Sequence, residues 1–487
     1  MFENGMTSLK QGKILGERLS SGVMAFRGVP YARPPLGNLR WRPAQPVRPW
    51  TTVLDCTWYA ANATQIVLPM DSFYQKEFYP TTRRMSEDGL YLNVWTPAKS
   101  AEDGLPIYVW IHGGAFTEGA GSALQFIGEK LASRGVVVAT INYRLGAFGF
   151  MAHPELTAEQ GHSGNYGFTD MAMALSFLKE NAKAFGGNPE NITIDGQSAG
   201  SMSVCALVAS PKAKGLFQKA IAQSGSVFGR RGILDAPGAE EAGLQLQKAL
   251  GCKNIQEMRL VPPEEIMETV AKEGLFFRPS VDGSFIQQPY AKIYEEGLHN
   301  QLTMLVGSTA AEGCLHEVEP DDLAKHLRLP QELGVEAEGF LKAFPASTNE
   351  EAAKQSDVLR TSTTFAGMKG LADSQKKAGR KAYLYTFDMR LPDGDGKEIG
   401  PFHSAELVYQ FGTLDTGWRP WRPEDYALSE RMMDYWAAFC RTGDPNAPGL
   451  PRWEPYAADG RCMHLGKALG MGEYPYAEQV AYMEAQM

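Results

Sequence analysis

The sequence is poor in cysteine, and its cysteines are widely spaced. None of the six forms a Cys-x-x-Cys pair: Cys56, Cys205, Cys252, Cys314, Cys440 and Cys462. Structural zinc sites and dense disulfide frameworks need closely spaced cysteines, so neither is expected. We predict free thiols that are mostly buried. The eight histidines are also scattered, and we expect no metal and no other cofactor.

A basic run and a long apolar run are also missing. The formal net charge is −9, and acidic and basic residues are interspersed, so nucleic acid is not an expected partner. No eighteen-residue apolar stretch could span a membrane, and the amino-terminal segment MFENGMTSLKQGKILGERL has no signal-peptide core. We therefore expect a cytoplasmic protein with no membrane partner. No pattern predicts an oligomeric state.

Short apolar runs recur along the chain, at 106–113, 135–143, 191–196, 220–225, 303–308 and 382–388. Continuous apolar runs of this length are typical of strands that are covered on both faces. Helical patterns such as 169–185 lie between them. Strands that alternate with helices predict an α/β fold, with a large, mostly parallel central sheet and helices on both faces.

Two more helical and acidic stretches interrupt this rhythm, at roughly 231–300 and 315–380. We interpret them as helical insertions that form a cap. The chain has no internal repeat and no low-complexity linker. Residues 1–487 are therefore predicted to form a single domain.

A Gly-x-Ser-x-Gly motif at 196–200 follows the apolar run NITIDG and precedes a segment of small residues. In a chain with 51 glycines the motif alone is weak. A strand, a tight turn and a helix are, however, the setting in which it exposes a nucleophilic serine. Ser198 is therefore the candidate nucleophile, and the amide of Ala199 is a candidate oxyanion donor. The alternative is a plain turn whose glycines serve only to avoid steric clashes.

The motif HGGAF at 112–116 directly follows the run PIYVWI. Consecutive small residues at the end of a strand expose backbone amides, and esterases form part of the oxyanion hole at this position. A simple glycine turn is the alternative.

A serine hydroxyl needs a general base, and the base needs an acid to orient it. In this architecture both follow later strands, with the acid first. Glu312 and His403 satisfy that order. Position alone leaves other candidates open, namely Glu317 and Glu319 for the acid, and His316 and His464 for the base.

Nearly the whole chain resembles the type-B carboxylesterases, which include bacterial para-nitrobenzyl esterases, animal carboxylesterases and cholinesterases. The blocks that carry the resemblance are FRGVPYARPPLGNLRWRPAQP near the start, EDGLYLNVWTP at 87–97, NYRLGAFGF at 142–150, FGGNPENITIDGQSAG at 185–200 and YWAAFCRTGDPN at 435–446. The resemblance implies an α/β-hydrolase fold with a helical cap over an active-site gorge. It also implies hydrolysis of small-molecule carboxylic esters through an acyl-enzyme. The residues it assigns are the triad Ser198, Glu312 and His403 and the oxyanion-hole amides of Gly114, Ala115 and Ala199.

The chain departs from the family in two places. Gly89 stands where secreted relatives have a disulfide cysteine, and the stretch AANATQ lacks the partner cysteine, so the 65–88 loop is expected to be unclamped. We hypothesise that this loop forms part of the rim over the active site; the alternative is a surface loop with a few packed aromatics. The loop contains no tryptophan, so choline esters are not expected as preferred substrates. Gln197 replaces the glutamate that usually precedes the serine.

The resemblance also implies supporting and substrate-facing residues. Ser224 and Glu406 match a polar network behind the histidine, and Gln197 belongs to the same supporting shell. Four aromatic residues either line the gorge or fill the core, namely Phe116, Phe228, Phe276 and Phe277. An amidase, a lactonase, an acyltransferase or a non-catalytic binding protein on the same scaffold remain alternatives.

Overall fold

The computed structural model describes residues 1–67, 69, 72–78, 84–228, 236–313 and 322–487. Within these residues eleven strands form one large sheet. In chain order they are β1 (Glu17–Arg18), β2 (Met24–Pro30), β3 (Tyr91–Thr96), β4 (Leu105–Ile111), β5 (Val137–Ile141), β6 (Gly187–Gln197), β7 (Lys219–Gln223), β8 (Thr303–Thr309), β9 (Ala382–Phe387), β10 (Arg461–Leu465) and β11 (Gly470–Glu473). All six strands that the sequence predicts are present.

The strand order in the sheet is β11-β10-β9-β8-β7-β6-β4-β5-β3-β2-β1. Neighbours from β10 to β5 pair in parallel, whereas β11 and β3 to β1 add antiparallel edges. The carboxyl ends of the parallel strands therefore meet at one edge of the sheet, where sites of α/β proteins form. Smaller sheets use Met6–Ser8, Lys13–Leu15 and Leu54–Asp55, Asn62–Ala63 with Met85–Ser86, and Leu391–Pro392 with Glu398–Ile399.

Side chains of the central strands alternate between two hydrophobic cores. On β4, Ile107, Val109 and Ile111 belong to one core, and Tyr108 and Trp110 belong to the other. Because successive side chains of a strand point to opposite faces, both faces of the sheet are covered. The continuous apolar runs of the sequence therefore correspond to strands buried on both sides.

Helices flank the sheet on both faces. They are α1 (Phe73–Phe78), α2 (Glu129–Ala132), α3 (Gly146–Phe150), α4 (Pro154–Gln160), α5 (Tyr166–Asn181), α6 (Ala199–Ala209), α7 (Ala236–Ala249), α8 (Ile255–Met258), α9 (Pro263–Lys272), α10 (Tyr290–Glu295), α11 (Leu323–Leu333), α12 (Ala337–Ala343), α13 (Asn349–Lys377), α14 (Leu407–Gln410), α15 (Pro423–Thr442) and α16 (Ala477–Glu484). Short 3-10 segments occupy Glu3–Gly5, Gly37–Leu39, Leu124–Phe126, Ala182–Phe185, Pro211–Ala213, Gly394–Gly396 and Leu414–Thr416. In the described part of the chain, no helix is both long and apolar enough to cross a membrane.

The two predicted insertions are helical. The 231–300 stretch contains α7 to α10, and the described part of the 315–380 stretch contains α11 to α13. The long helix α13 packs against β8, β9 and α16. Its Thr361 and Asp357 lie beside the turn that follows β8, so this insertion also supports the carboxyl edge of the sheet.

Candidate active site

Ser198 lies between the end of β6 and the first residue of α6. Its φ of 58° and ψ of −124° lie in a region that residues with a side chain rarely occupy. Two backbone hydrogen bonds hold it there, since its N–H donates to Gln223 O at 2.9 Å and its carbonyl accepts from Met202 N at 3.0 Å. The sharp strand-to-helix turn predicted for this serine is therefore present.

The glycines of the motif allow strands β4 and β6 to approach closely at this turn. A β-carbon at Gly200 would lie 2.1 Å from Ile111 O, and one at Gly196 would lie 2.4 Å from Gly200 O. Ile111 O belongs to the end of β4 and Gly200 O to the first turn of α6, so neither oxygen can move without distorting one of these elements. Both glycines are therefore required by packing, and the tight turn they permit exposes Ser198.

The loop after β4 brings backbone amides to the serine. Gly114, Ala115 and Phe116 have successive positive φ values of 104°, 52° and 65°. A β-carbon at the preceding Gly113 would lie 3.2 Å from Ser198 Cβ. Among the described residues, no backbone hydrogen bond is recorded from the N–H groups of Gly114 or Ala115, or from that of Ala199 at the start of α6. The three predicted oxyanion donors are therefore unpaired close to Ser198.

His112 supports this loop. It is 1% exposed, its ring stacks on Tyr143 with 4.4 Å between centroids, and Tyr143 Oη donates to its carbonyl at 2.8 Å. Its Nδ1–H donates to Gly113 O at 2.8 Å. Burial lowers the pKa of His112 to about 4, so the ring is neutral at physiological pH. The histidine of the HGGAF motif therefore shapes the loop and does not supply charge.

Glu312 and His403 form a close pair. His403 Nδ1 lies 2.5 Å from Glu312 Oε2, and the glutamate is buried. Thr309 N donates to the other carboxylate oxygen at 3.0 Å, and Glu312 N donates to Thr361 Oγ1 at 3.0 Å. Both carboxylate oxygens are thus occupied, which fixes the carboxylate plane and leaves His403 Nε2 as the ring nitrogen available for a reaction.

Gln197 lies against the face of the His403 ring. Its Nε2 is 3.2 Å from Nε2 and 3.4 Å from Nδ1 of that ring. A donor almost equidistant from both nitrogens sits over the ring and does not point along either in-plane lone pair. Among the described residues no hydrogen bond joins the Ser198 hydroxyl to His403. The His403 ring nevertheless packs on the residue that directly precedes Ser198.

Ser224 and Glu406 are buried near this pair. Ser224 is 5% exposed and Glu406 is 0% exposed, and neither side chain has a hydrogen-bond partner among the described residues. Burial, and then the charge of Glu312, raise the pKa of Glu406 well above its usual range. The environment of Glu406 therefore disfavours a second negative charge beside Glu312.

The four candidate aromatic residues occupy different environments. Phe116 is 4% exposed and packs edge-on to Phe150, and Phe277 is 3% exposed in the same core. Phe228 is half-buried against Tyr294, with ring centroids 6.0 Å apart. Phe276 is 42% exposed, and the guanidinium of Arg278 lies over its ring. Two of the four rings thus fill the core.

The described part of the 65–88 loop touches both halves of the site. Gln65 accepts a hydrogen bond from Gly119 N at 2.8 Å and donates to Gly119 O at 2.9 Å, in the loop that carries HGGAF. Phe73 packs on Phe402, directly before His403. Residues 68, 70, 71 and 79–83 lie outside the described part. Gly89 stands at the position of the disulfide cysteine expected in secreted relatives. A β-carbon there would lie 2.7 Å from Ala63 Cα, so the backbone at 89 is in direct contact with the backbone at 63.

Of the other candidates for the base and the acid, His464 lies in the described part of the chain. His464 lies on β10, where Nδ1 bonds Asp388 at 2.7 Å and Nε2 bonds Glu473 O at 2.8 Å. The hydrogen bond to Asp388 is the main reason that its pKa rises to about 10, so it is protonated and cannot accept a proton at neutral pH. Residues 314–321, which include His316, Glu317, Glu319 and Cys314, lie outside the described part.

Two carboxyl groups near the site, Glu118 and Asp195, were not predicted from the sequence. Glu118 lies two residues after HGGAF, and a β-carbon at Gly114 would lie 2.9 Å from its Cγ. Burial raises the pKa of Glu118 to about 7. Asp195, three residues before Ser198, accepts hydrogen bonds from Gln223 Nε2 at 2.8 Å, Tyr108 Oη at 2.9 Å and Trp436 Nε1 at 3.0 Å. Burial raises its pKa to about 7 although these donors lower it. For Glu118 the available sequence signal was a carboxyl within a glycine-rich segment, and for Asp195 it was a carboxyl within an apolar strand.

Known proteins match the chain over nearly its full length. A model of the carboxylesterase family matches residues 3–483. The para-nitrobenzyl esterase of Bacillus subtilis (strain 168) is 33% identical over 484 aligned residues, which cover 94% of this chain and 93% of that protein. Carboxylesterase 1C of Rattus norvegicus is 32% identical over 518 aligned residues, which cover 97% of this chain and 91% of that protein.

Solved structures agree with these relatives. A PNB esterase superposes with a TM-score of 0.84 at 31% identity and covers 99% of this chain and 100% of its own. A thermophilic PNB esterase superposes with a TM-score of 0.85 at 31% identity and the same coverage. The predicted α/β-hydrolase fold is therefore confirmed. By sequence and by structure, the chain belongs to the carboxylesterase family.

Proposed function

We propose that this carboxylic ester hydrolase uses Ser198 as nucleophile, His403 as general base and Glu312 as the acid that orients the base. The amides of Gly114, Ala115 and Ala199 would form the oxyanion hole. The observation that carries the proposal is the 2.5 Å contact between His403 Nδ1 and Glu312, with the same ring packed on the residue before Ser198. Hydrogen bonds between nucleophile and base are often long in resting enzymes and shorten when substrate binds.

The reaction would proceed in two steps. His403 Nε2 takes the hydroxyl proton as Ser198 Oγ attacks the ester carbonyl, and the tetrahedral oxyanion accepts hydrogen bonds from the three amides. The bond to the alcohol oxygen then breaks, and His403 returns its proton to the departing alcohol. Water, deprotonated by the same ring, attacks the acyl carbon. The bond to Ser198 Oγ then breaks, His403 returns the proton to Oγ, and the carboxylic acid leaves. Glu312 stabilises the imidazolium in both steps.

The substrate class is tested with para-nitrophenyl esters from acetate to decanoate, measured beside Ser198→Ala and His403→Ala. We expect each variant to lose about four or more orders of magnitude in kcat, with the residual rate supplied by the oxyanion donors and by binding. Matched anilides and lactones, and product analysis with added alcohol, separate an esterase from an amidase, a lactonase or an acyltransferase. Near-normal turnover in Ser198→Ala would refute the proposal.

We also propose that the enzyme works in a reducing compartment such as the cytoplasm. The described cysteines, Cys56, Cys205, Cys252, Cys440 and Cys462, are all free thiols. Disulfides are common in secreted relatives because oxidising compartments favour them. Fractionation of cells that produce the protein, followed by ester hydrolysis assays on each fraction, tests this location.

A further inference from the structure

Helix α1, in the 65–88 loop, contacts the residue that precedes His403. The ring of Phe73 lies edge-on to that of Phe402, with 4.9 Å between centroids and 89° between planes. Phe402 is 1% exposed and is followed directly by His403. An edge-to-face pair of rings contributes stabilisation beyond the burial of its surface. This contact therefore holds Phe402 from the side of α1.

Arg419 holds both α1 and Phe402. Its Nη2 donates to Glu77 Oε1 at 2.7 Å, and its Nε donates to Glu77 Oε2 at 3.2 Å. The two side chains are 1% and 9% exposed, so water screens the ion pair little. The guanidinium carbon also lies 5.4 Å from the centroid of the Phe402 ring. A bidentate pair fixes orientation as well as distance, so Arg419 orients α1 relative to Phe402.

Further contacts fix Arg419 itself. Its Nη1 donates to Pro392 O at 3.0 Å, and its guanidinium carbon lies 4.6 Å from the Trp418 ring centroid. Trp418 Nε1 donates to Glu77 Oε1 at 2.9 Å. These contacts define one cluster, which we call the Glu77 cluster: Phe73, Glu77, Phe402, Trp418 and Arg419.

We propose that Phe73, Glu77 and Arg419 are positioning residues for His403, so that the non-covalent anchoring of the 65–88 loop sets the orientation of the general base. This inference rests on the proposed role of His403. Catalytic groups must be held to within about 0.5 Å of their productive geometry. Because interiors are close-packed, a displacement of Phe402 is transmitted along the backbone to the next residue.

The ring of His403 gives this displacement a direct effect. Its side chain is 21% exposed, and Glu312 is its only in-plane hydrogen-bond partner among the described residues. A ring held by one nitrogen can still swing about that hydrogen bond. The backbone before the ring, which the Glu77 cluster fixes, restricts that swing and hence the aim of Nε2 at Ser198.

The first test compares Phe73→Leu with Phe78→Leu. Both residues are on α1 and belong to or pack against the same core, but among the described contacts only Phe73 meets Phe402, whereas Phe78 stacks on Tyr74. We measure kcat for para-nitrophenyl acetate per active site titrated. Phe73→Leu should lower kcat about 2- to 10-fold, which corresponds to the loss of one edge-to-face pair, with KM nearly unchanged. Phe78→Leu should lower Tm but leave kcat near the wild-type value.

The second test compares Glu77→Gln with Asp393→Asn. Both carboxylates face Arg419, but Asp393 is 3.4 Å away, 37% exposed and outside α1. Only Glu77→Gln should lower kcat per titrated site. If Glu77→Gln does not fold, because it leaves a buried guanidinium uncompensated, the neutral change Phe73→Leu still decides the question.

Unchanged kcat and KM per titrated site in Phe73→Leu would overturn the inference. Equal losses of kcat in Phe73→Leu and Phe78→Leu would also overturn it, because the effect would then be loss of packing alone. The proposed function fails by a different result, namely near-normal turnover in His403→Ala.

Discussion

The side-chain amide of Gln197 covers the His403 ring, with its nitrogen 3.2 Å from Nε2 and 3.4 Å from Nδ1. This residue replaces a glutamate of the family, so a neutral group lies where relatives place a negative charge. The amide donates into the ring face, where it does not compete with Ser198 for the Nε2 lone pair. It also provides no counter-ion for the imidazolium that forms during turnover.

Gln197→Glu should therefore shift the pH dependence of the enzyme. A carboxylate over the ring stabilises the imidazolium, so the base stays protonated to higher pH. The acidic limb of kcat/KM should move to higher pH. Steady-state rates on a neutral ester between pH 5 and 9 check this, with Gln197→Met as the uncharged control. A limb that does not move for Gln197→Glu would contradict the geometry.

Two neighbouring glutamates should respond very differently to the same substitution. Glu312 accepts the Nδ1 hydrogen bond of His403, so Glu312→Gln should lower kcat by about four orders of magnitude through the wrong ring tautomer. Burial raises the pKa of Glu406, and its carboxyl has no hydrogen-bond partner among the described residues, so Glu406→Gln should cost far less. Single-turnover acylation rates of both variants provide the comparison. Similar losses in the two would contradict the different roles assigned to these glutamates.

Glu118 makes stability depend on pH. Burial raises its pKa to about 7 from 4.5, so the folded protein binds a proton that the unfolded chain has already released. Stability should therefore fall as pH rises from about 4.5 to about 7, and Glu118→Gln should remove this part of the fall. The difference in Tm between the variant and the wild type should grow over that window and then level off. A constant difference would contradict the assignment.

Asp195 should be costly to remove. Its three donors, Tyr108, Gln223 and Trp436, come from β4, β7 and α15, and among the described residues only Gln223 has a second acceptor, Gln410 Oε1. Asp195→Ala should lower the free energy of unfolding by about 3 kcal/mol or more. Asp195→Asn keeps one acceptor oxygen and should cost less. Urea unfolding of both variants measures the difference, and equal losses would mean that packing, and not hydrogen bonding, dominates.

Local spacing explains why the serine turn could be predicted. The motif GQSAG directly follows an apolar run and precedes a segment of small residues, so the strand, the turn and the helix are contiguous in the sequence and together identify the turn. The pairing of Glu312 with His403 could also be predicted, because parallel strands β8 and β9 end at the same edge of the sheet.

Other features depend on distant parts of the chain. The hydrogen bonds of Asp195 require β4, β7 and α15 to converge, and nothing within the run NITIDG indicates that convergence. The sequence also does not show whether Phe116 and Phe277 line the gorge or fill the core, because an apolar gorge wall and an apolar core use the same residue types. The position of Gln197 over the His403 ring depends on a loop more than 200 residues away.

The contact between Gly89 and Ala63 limits how this enzyme can be engineered. A cysteine at 89 would place its β-carbon 2.7 Å from Ala63 Cα and 2.8 Å from Ala63 N, which is closer than non-bonded atoms can pack. Restoring the covalent bridge of secreted relatives would thus require the backbone to separate first. The tight glycine contact excludes a cysteine side chain in the present backbone, so a sulfur link at this position would need a redesigned segment and not a pair of point changes.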